Sequence, residues 1–156
     1  MISDPARIPE ELLQSTTFLL GRLGFACKGR AIEEFESLGF SPYHYAVLAL
    51  LNEGDRETQG TIADALGVDR SQLVGLLDGL EERGLVERHR DPNDRRRHVV
   101  KLTAAGQGQL AEFRSTIRRL EEDILAPLDP ESRETLHGLL LRLAGHYDPR
   151  YAAATS

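Results

Sequence analysis

Apolar residues recur at three- and four-residue spacings along the first part of this chain: Leu12, Leu13, Leu19, Leu20, Leu23, Ile32 and Phe35. That spacing predicts one long helix over residues 9–38. Pro9 suits its first turn, Glu10 and Glu11 complement the positive helix end, and Gly39 closes it. Ser41 and Pro42 form an N-cap and first-turn pair for a second helix, Tyr43 to Asn52. Apolar residues surround that helix on nearly every side (Ala46 to Leu51), so it is expected at the centre of the core. A short helix over Gln59–Leu66 follows, then a break at Gly67, then a fourth helix capped by Asp69 and reaching Arg83. Leu85–Arg90 and His98–Leu102 alternate or run apolar like two strands. Thr103 caps a long helix from Ala104 to about Leu125, and Asp129-Pro130 opens a last helix carrying Leu136, Leu139, Leu140 and Leu143 on one face. That pattern fades near Tyr147, and the tail 148–156 is expected to be disordered.

The element order predicts a mainly α fold with one β-hairpin. Neither long terminal helix can bury an apolar stripe alone, so residues 1–40 and 104–147 are expected to form a dimerisation layer. Between them, residues 41–103 form a separate lobe.

The hairpin reads Asp91-Pro-Asn-Asp-Arg-Arg-Arg-His-Val-Val-Lys-Leu-Thr103. A turn-forming Asp-Pro-Asn-Asp leads into three adjacent arginines flanked by strand-like runs. Guanidiniums so placed repel one another, and the arrangement makes sense if a polyanion meets them. The whole chain carries a net charge of −6. Gly84 to Thr103 nevertheless holds Arg88, Arg90, Arg95, Arg96, Arg97 and Lys101 against Glu87, Asp91 and Asp94, a local +3. A focused footprint of that kind steers a phosphate backbone more than net charge does.

The segment before the hairpin has the spacing of a helix-turn-helix. Two closely crossing helices need a small residue at the crossing, here Ala63, and a permissive backbone at the turn, here Gly67. Val68, Leu73 and Leu76 are spaced to close the small core beneath. Arg70, Ser71 and Gln72 then point outward at the N-terminal end of the second helix, the part that meets base edges in this geometry. Gln can bond adenine bidentately and Arg guanine. Alternatively, Arg70 or Ser71 holds only phosphate. Of the wing arginines, one is expected in a narrow minor groove, while Asp94 shapes the turn. A helical hairpin inside some other all-α domain is the competing structural reading.

Gly67-Val-Asp-Arg-Ser-Gln-Leu-Val-Gly-Leu-Leu-Asp-Gly-Leu-Glu-Glu-Arg-Gly-Leu-Val-Glu-Arg88, followed by Asp91-Pro-Asn-Asp-Arg-Arg96 and Leu102-Thr103, resembles the MarR family of multiple-antibiotic-resistance regulators. The likeness extends to Leu38-Gly-Phe-Ser-Pro-Tyr-His-Tyr45, where the family's second helix begins. It implies a homodimeric winged helix-turn-helix repressor that grips a pseudo-palindrome in double-stranded DNA, released by small ligands or oxidants. It also implies that Arg96 pairs with the acidic residue at the head of the recognition helix, Asp69, leaving Arg95 and Arg97 as probes. Gly75 and Gly79 depart from the family, many members of which carry basic or polar residues there. Glycine at those positions either permits close approach to DNA or narrows base readout.

The family's ligand pocket points to Phe18, Phe25, Tyr43 and His44, with a small aromatic or phenolic molecule as the expected effector. Plain core packing for the phenylalanines and a helix-start hydrogen bond for His44 are the competing readings. Cys27, beside Lys28, is the redox candidate. The hydroperoxide-sensing branch of the family places its cysteine nearer Thr16 or Thr17, and a small packed residue is the plainer role. One cysteine excludes an internal disulfide and a cysteine-based zinc cluster. The five histidines lack ligand spacing, no cofactor is implied, and no nucleophile elbow or phosphate-cradling loop suggests an enzyme. His89 and His98 flank the wing. At 40% apolar and 28% charged residues, with no membrane-length apolar run or signal pattern, a soluble cytoplasmic protein is expected. Two other functions stay open: a winged-helix protein–protein module that does not bind DNA, and a thiol switch through Cys27.

Overall fold

The computed structural model describes residues 6–54 and 57–155. Its elements are α1 (Glu10–Leu13), α2 (Thr16–Ser37), α3 (Pro42–Glu53), β1 (Glu57–Thr58), α4 (Gln59–Leu66), α5 (Arg70–Glu82), β2 (Val86–Arg90), β3 (His98–Leu102), α6 (Ala104–Ile124), α7 (Pro130–Tyr147) and a 3-10 helix, Pro149–Thr155. Two compact units divide the chain, Met1–Ile117 and Arg118–Ser156.

The expected first helix is two. Ser15 is extended, and its hydroxyl accepts the Phe18 N–H at 3.2 Å, which restarts the helix there. A side-chain acceptor at that point competes with continuation from Leu13, and β-branched Thr16 and Thr17 follow it.

In the first unit the core gathers Phe35 of α2, Val47, Leu48 and Leu51 of α3, Ile62 and Ala63 of α4, and Leu73, Leu77 and Leu80 of α5. Leu85, Val86, Val100, Leu110 and Phe113 complete it. Phe113 stacks 5.1 Å from Phe35 and edge-on to Phe40 at 4.9 Å. The sheet has the antiparallel order β1-β3-β2, with Thr58 opposite Val99 and Arg88 opposite Val100. β1 is a third strand that no periodicity announces, since two residues carry no alternation.

α6 is joined to the sheet by backbone. The Thr103 hydroxyl donates to Gly84 O at 2.7 Å and accepts the Gly106 N–H at 3.0 Å. The approach is so close that a Cβ on Gly106 would fall 2.1 Å from Leu85 O.

In the second unit, Asp129 caps α7 by accepting the Ser132 N–H at 2.7 Å, with Pro130 in the first turn. Arg133 bonds the Leu128 carbonyl at 3.0 Å and Glu122 at 2.8 Å. Of the tail expected to be disordered, Pro149–Thr155 is instead the 3-10 helix, and Ser156 lies outside the described residues. Asp148 starts it by accepting the Arg150 N–H at 3.0 Å and binding its guanidinium, a local closure that hydrophobic periodicity does not report. Large apolar side chains stay exposed on α1 and α2 (Leu12, Leu13, Leu19, Leu20, Leu23) and on α7 (Leu139, Leu140, Leu143).

Candidate nucleic-acid interface

The turn between α4 and α5 is built from local hydrogen bonds. Thr58 caps α4, its hydroxyl accepting the Thr61 N–H at 3.2 Å while the Thr61 hydroxyl oxygen accepts the Thr58 N–H at 2.9 Å. α4 ends at Gly67 in the left-handed region, φ 63°, and the Val68 N–H returns to Ala63 O at 3.2 Å. Asp69 caps α5: its Oδ1 accepts the Gln72 N–H at 2.7 Å and the Ser71 hydroxyl at 2.6 Å. Those two bonds, the hydroxyl first, hold the Asp69 carboxyl below its ordinary range.

Asp69 is therefore turned into its own helix end. Among the described residues it makes no ion pair with Arg96, so the wing-to-helix brace implied by the family resemblance is not formed in this structure. The reason is competition: a carboxylate already accepting a cap N–H and a hydroxyl has little to gain from an exposed guanidinium.

The wing tip closes without that brace. The Asp91 N–H bonds Arg97 O, and the Arg97 N–H bonds Asp94 O, each at 2.9 Å. Asp94 Oδ1 accepts the Arg96 N–H at 3.0 Å, and its Oδ2 lies 3.7 Å from Arg97 Nε. Asp94 thus shapes the turn and partly balances Arg97. All three arginines are exposed.

These elements enclose an open groove of about 550 Å³ between the start of α4, α5 and the wing. Arg70, Arg96 and Arg97 line it with Thr58, Thr61, His98 and one carboxylate, Asp64, over Leu73 and Val74. Arg95, proposed from sequence as a probe, is not among its lining residues; Arg96, proposed as the brace, is. Of the outward trio on α5, Arg70 and Gln72 have no side-chain hydrogen bond among the described residues, whereas the Ser71 hydroxyl is committed to Asp69.

The brace that does exist was missed. Arg88 on β2 reaches α5, donating from Nε to Glu81 at 2.9 Å and from its terminal nitrogen to Glu81 and Asp78. Its pKa is raised mainly by the Glu81 bond, and that of Glu81 is lowered in return. Arg88 shares one face of β2 with buried Val86, and an arginine on an inward register needs a carboxylate partner. That was the available signal. It also removes Arg88 from the free positive charge counted along the hairpin.

The other predicted residues lie outside this groove. Phe25 is 79% exposed on α2, and Tyr43 is exposed at the start of α3. Phe18 is half-buried, and none of these lines the groove. His44 Nδ1 accepts the Ser41 N–H at 2.9 Å, and its ring packs edge-on to Phe40 at 5.5 Å. Burial, then the charge of Arg83, lowers its pKa. Cys27 is a half-buried free thiol on α2. Gly79 faces the His44 ring, whereas a Cβ on Gly75 would meet nothing within 4 Å. No group of metal-ligating side chains occurs among the described residues, and no described helix is long and apolar enough to cross a membrane.

Two crossed helices, a three-stranded sheet with a basic wing, and a cationic groove between them define a winged helix-turn-helix DNA-binding protein. The chain belongs to the MarR family of transcriptional regulators, whose model matches residues 38–97. It is 34% identical over 133 residues to a transcriptional regulatory protein for the hcr operon of Thauera aromatica, covering 80% of each chain. Among solved structures it is similar to the transcriptional repressor CouR bound to a 23-mer DNA duplex, at 30% identity and TM-score 0.78, over 89% of this chain and 99% of that one. It is also similar to CouR of Rhodococcus jostii RHA1 bound to p-coumaroyl-CoA, at 30% identity and TM-score 0.69, over 85% and 94%. The matches are regulators of transcription, not enzymes.

Proposed function

We propose that this regulator is a ligand-responsive cytoplasmic repressor that binds a pseudo-palindromic operator as a homodimer. The observation that carries the reading is the groove in which Arg70 of α5 meets Arg96 and Arg97 of the wing. In this reading α5 enters the major groove, Arg70 and Gln72 face base edges, and the wing arginines follow the flanking backbone and minor groove. Arg95, further out on the wing, adds long-range attraction. Two copies related by a two-fold axis would set half-sites roughly 34–36 Å apart. The apolar side chains left exposed on α2 and α7 support that pairing.

The similar repressor's DNA complex supports the DNA partner, and p-coumaroyl-CoA in CouR supports an effector with a phenolic group. Such a molecule releases DNA only by preferring a dimer whose α5 helices are wrongly spaced.

The test is a salt titration of binding to the DNA flanking the chain's own coding region. Arg96→Ala with Arg97→Ala should weaken binding and lower the slope of log affinity against log salt by about one per arginine in each protomer. Unchanged affinity and slope would remove the wing from the mechanism. Absence of any wild-type shift would favour the protein–protein module, for which Asp78 and Glu82 on the exposed side of α5 are the supporting feature.

A further inference from the structure

Large apolar side chains exposed among the described residues fall before residue 44 or after residue 138, with one exception. The exception is Val74, 40% exposed in the N-terminal half of α5. Its neighbours on the helix divide sharply. Leu73 and Leu77 are buried in the core, while Arg70, one turn earlier, and Val74 line the same cationic groove. A β-branched residue is a poorer helix former than Ala or Leu, and an exposed one gains little packing in return. Beside it, Gly75 bares the helix backbone, since its absent side chain would have met nothing. The leading half of α5 thus presents cationic, polar and apolar groups in one turn.

In a nucleic acid duplex the polar groups have many partners, the apolar group one. Phosphates, sugars and most base-edge atoms are polar. The C5 methyl of thymine is the apolar group exposed in the major groove. We infer that Val74 is a specificity-determining residue that packs on a thymine methyl in each half-site. The inference rests on the reading above, in which α5 enters the major groove. Arg70 beside it supplies attraction that does not depend on the methyl, so the contribution of Val74 is separable. The competing occupant of the Val74 surface is the aliphatic stem of a wing arginine, Arg96 or Arg97, folded into the groove.

The experiment uses the full chain. Selection from a random duplex pool first gives the bound half-site. Each thymine is then replaced singly by deoxyuridine, which removes one methyl and leaves every hydrogen-bonding group in place. Affinities are read by fluorescence anisotropy at fixed salt. For the wild type, one position per half-site should lose about fourfold, the worth of one buried methyl group. Val74→Ala should bind the thymine duplex more weakly and treat thymine and deoxyuridine alike at that position. Thermal unfolding checks that the variant folds. Val74→Thr, which keeps one γ-methyl, should retain part of the discrimination and serves if the alanine variant does not fold. Absence of any deoxyuridine-sensitive position in the wild type would overturn the inference. So would a Val74→Ala protein that keeps the full discrimination. Equal weakening of Val74→Ala on both duplexes, beside an insensitive wild type, would assign Val74 to packing under the wing. Failure of the wild type to select any duplex would overturn the DNA reading itself, a result distinct from the others.

Discussion

His44 shows how one side chain can serve a helix start and register pH at once. Its Nδ1 accepts the Ser41 N–H, so a proton there would cost the cap of α3. Arg83 adds repulsion: it bonds Gly39 O at 2.7 Å and lies 4.1 Å from the centre of the Phe40 ring, against which His44 packs. Burial and that charge both depress the folded pKa below 6.5. The unfolded chain therefore binds more protons in the interval between the two values, and stability rises with pH there. The contribution is whole above pH 6.5 and is lost as pH falls through the folded value. Denaturant unfolding from pH 5 to 7.5 should show the wild type's advantage over His44→Gln constant at the upper end and shrinking at the lower. A constant difference across the range would sink this account. Residue roles of this kind were partly legible. A helix-start hydrogen bond for His44 follows from Ser41-Pro42 three residues before it, because caps are local. That Asp69 caps α5 was legible, but not that it makes no ion pair with Arg96, because a carboxylate at a helix head chooses between its own N–H groups and a distant guanidinium only once the chain is folded.

Elements divide in the same way. Asp69, Thr103 and Asp129 each sit where a capping residue must, and α5, α6 and α7 begin at the next residue. The break at Ser15 was hidden, because the leucine spacing continues across it and only the side-chain bond to Phe18 shows the restart. β1 was hidden because it is two residues held by β3 and by nothing in its own pattern. The junction of α6 with the sheet was hidden too. Gly106 reads as a weak spot in a helix, yet it is where α6 meets the backbone of Leu85. Gly106→Ala gains about 1 kcal/mol of helix propensity and must move a carbonyl, which is backbone and yields poorly. The second effect should win. Overpacking of this order costs roughly 1–3 kcal/mol, and the same step would strain the Thr103 bonds to Gly84 and Gly106. Chemical denaturation should show a net loss of stability, with amide exchange quickened in β2 and β3. A gain in stability would mean that the junction has slack. Gly75, whose Cβ position is open, is the natural control for the propensity term alone.

For the whole molecule, the question is how an acidic chain of net charge −6 holds a polyanion. Arg88 is neutralised by Glu81 and Asp78, and Arg97 is partly balanced by Asp94. What remains at the groove is a small cationic surface on each chain. A single copy offers few phosphate contacts against that background, so affinity depends on joining two such surfaces, where the second engagement is effectively intramolecular. The apolar residues left uncovered on the terminal helices are the means proposed for joining them. Leu139→Asp with Leu143→Asp places two charges on an exposed face of α7. Each chain should keep its helical signal and its unfolding cooperativity. Sedimentation should then find the wild type dimeric and the variant monomeric, and operator affinity should fall by about a hundredfold or more through lost avidity. The salt slope should drop toward half, because one copy's arginines would leave the duplex. A variant that stays dimeric would show that this face of α7 is not the joint. A monomer that binds as tightly as the wild type would be the more damaging result, since it would mean that one groove suffices and that the operator need not be a palindrome.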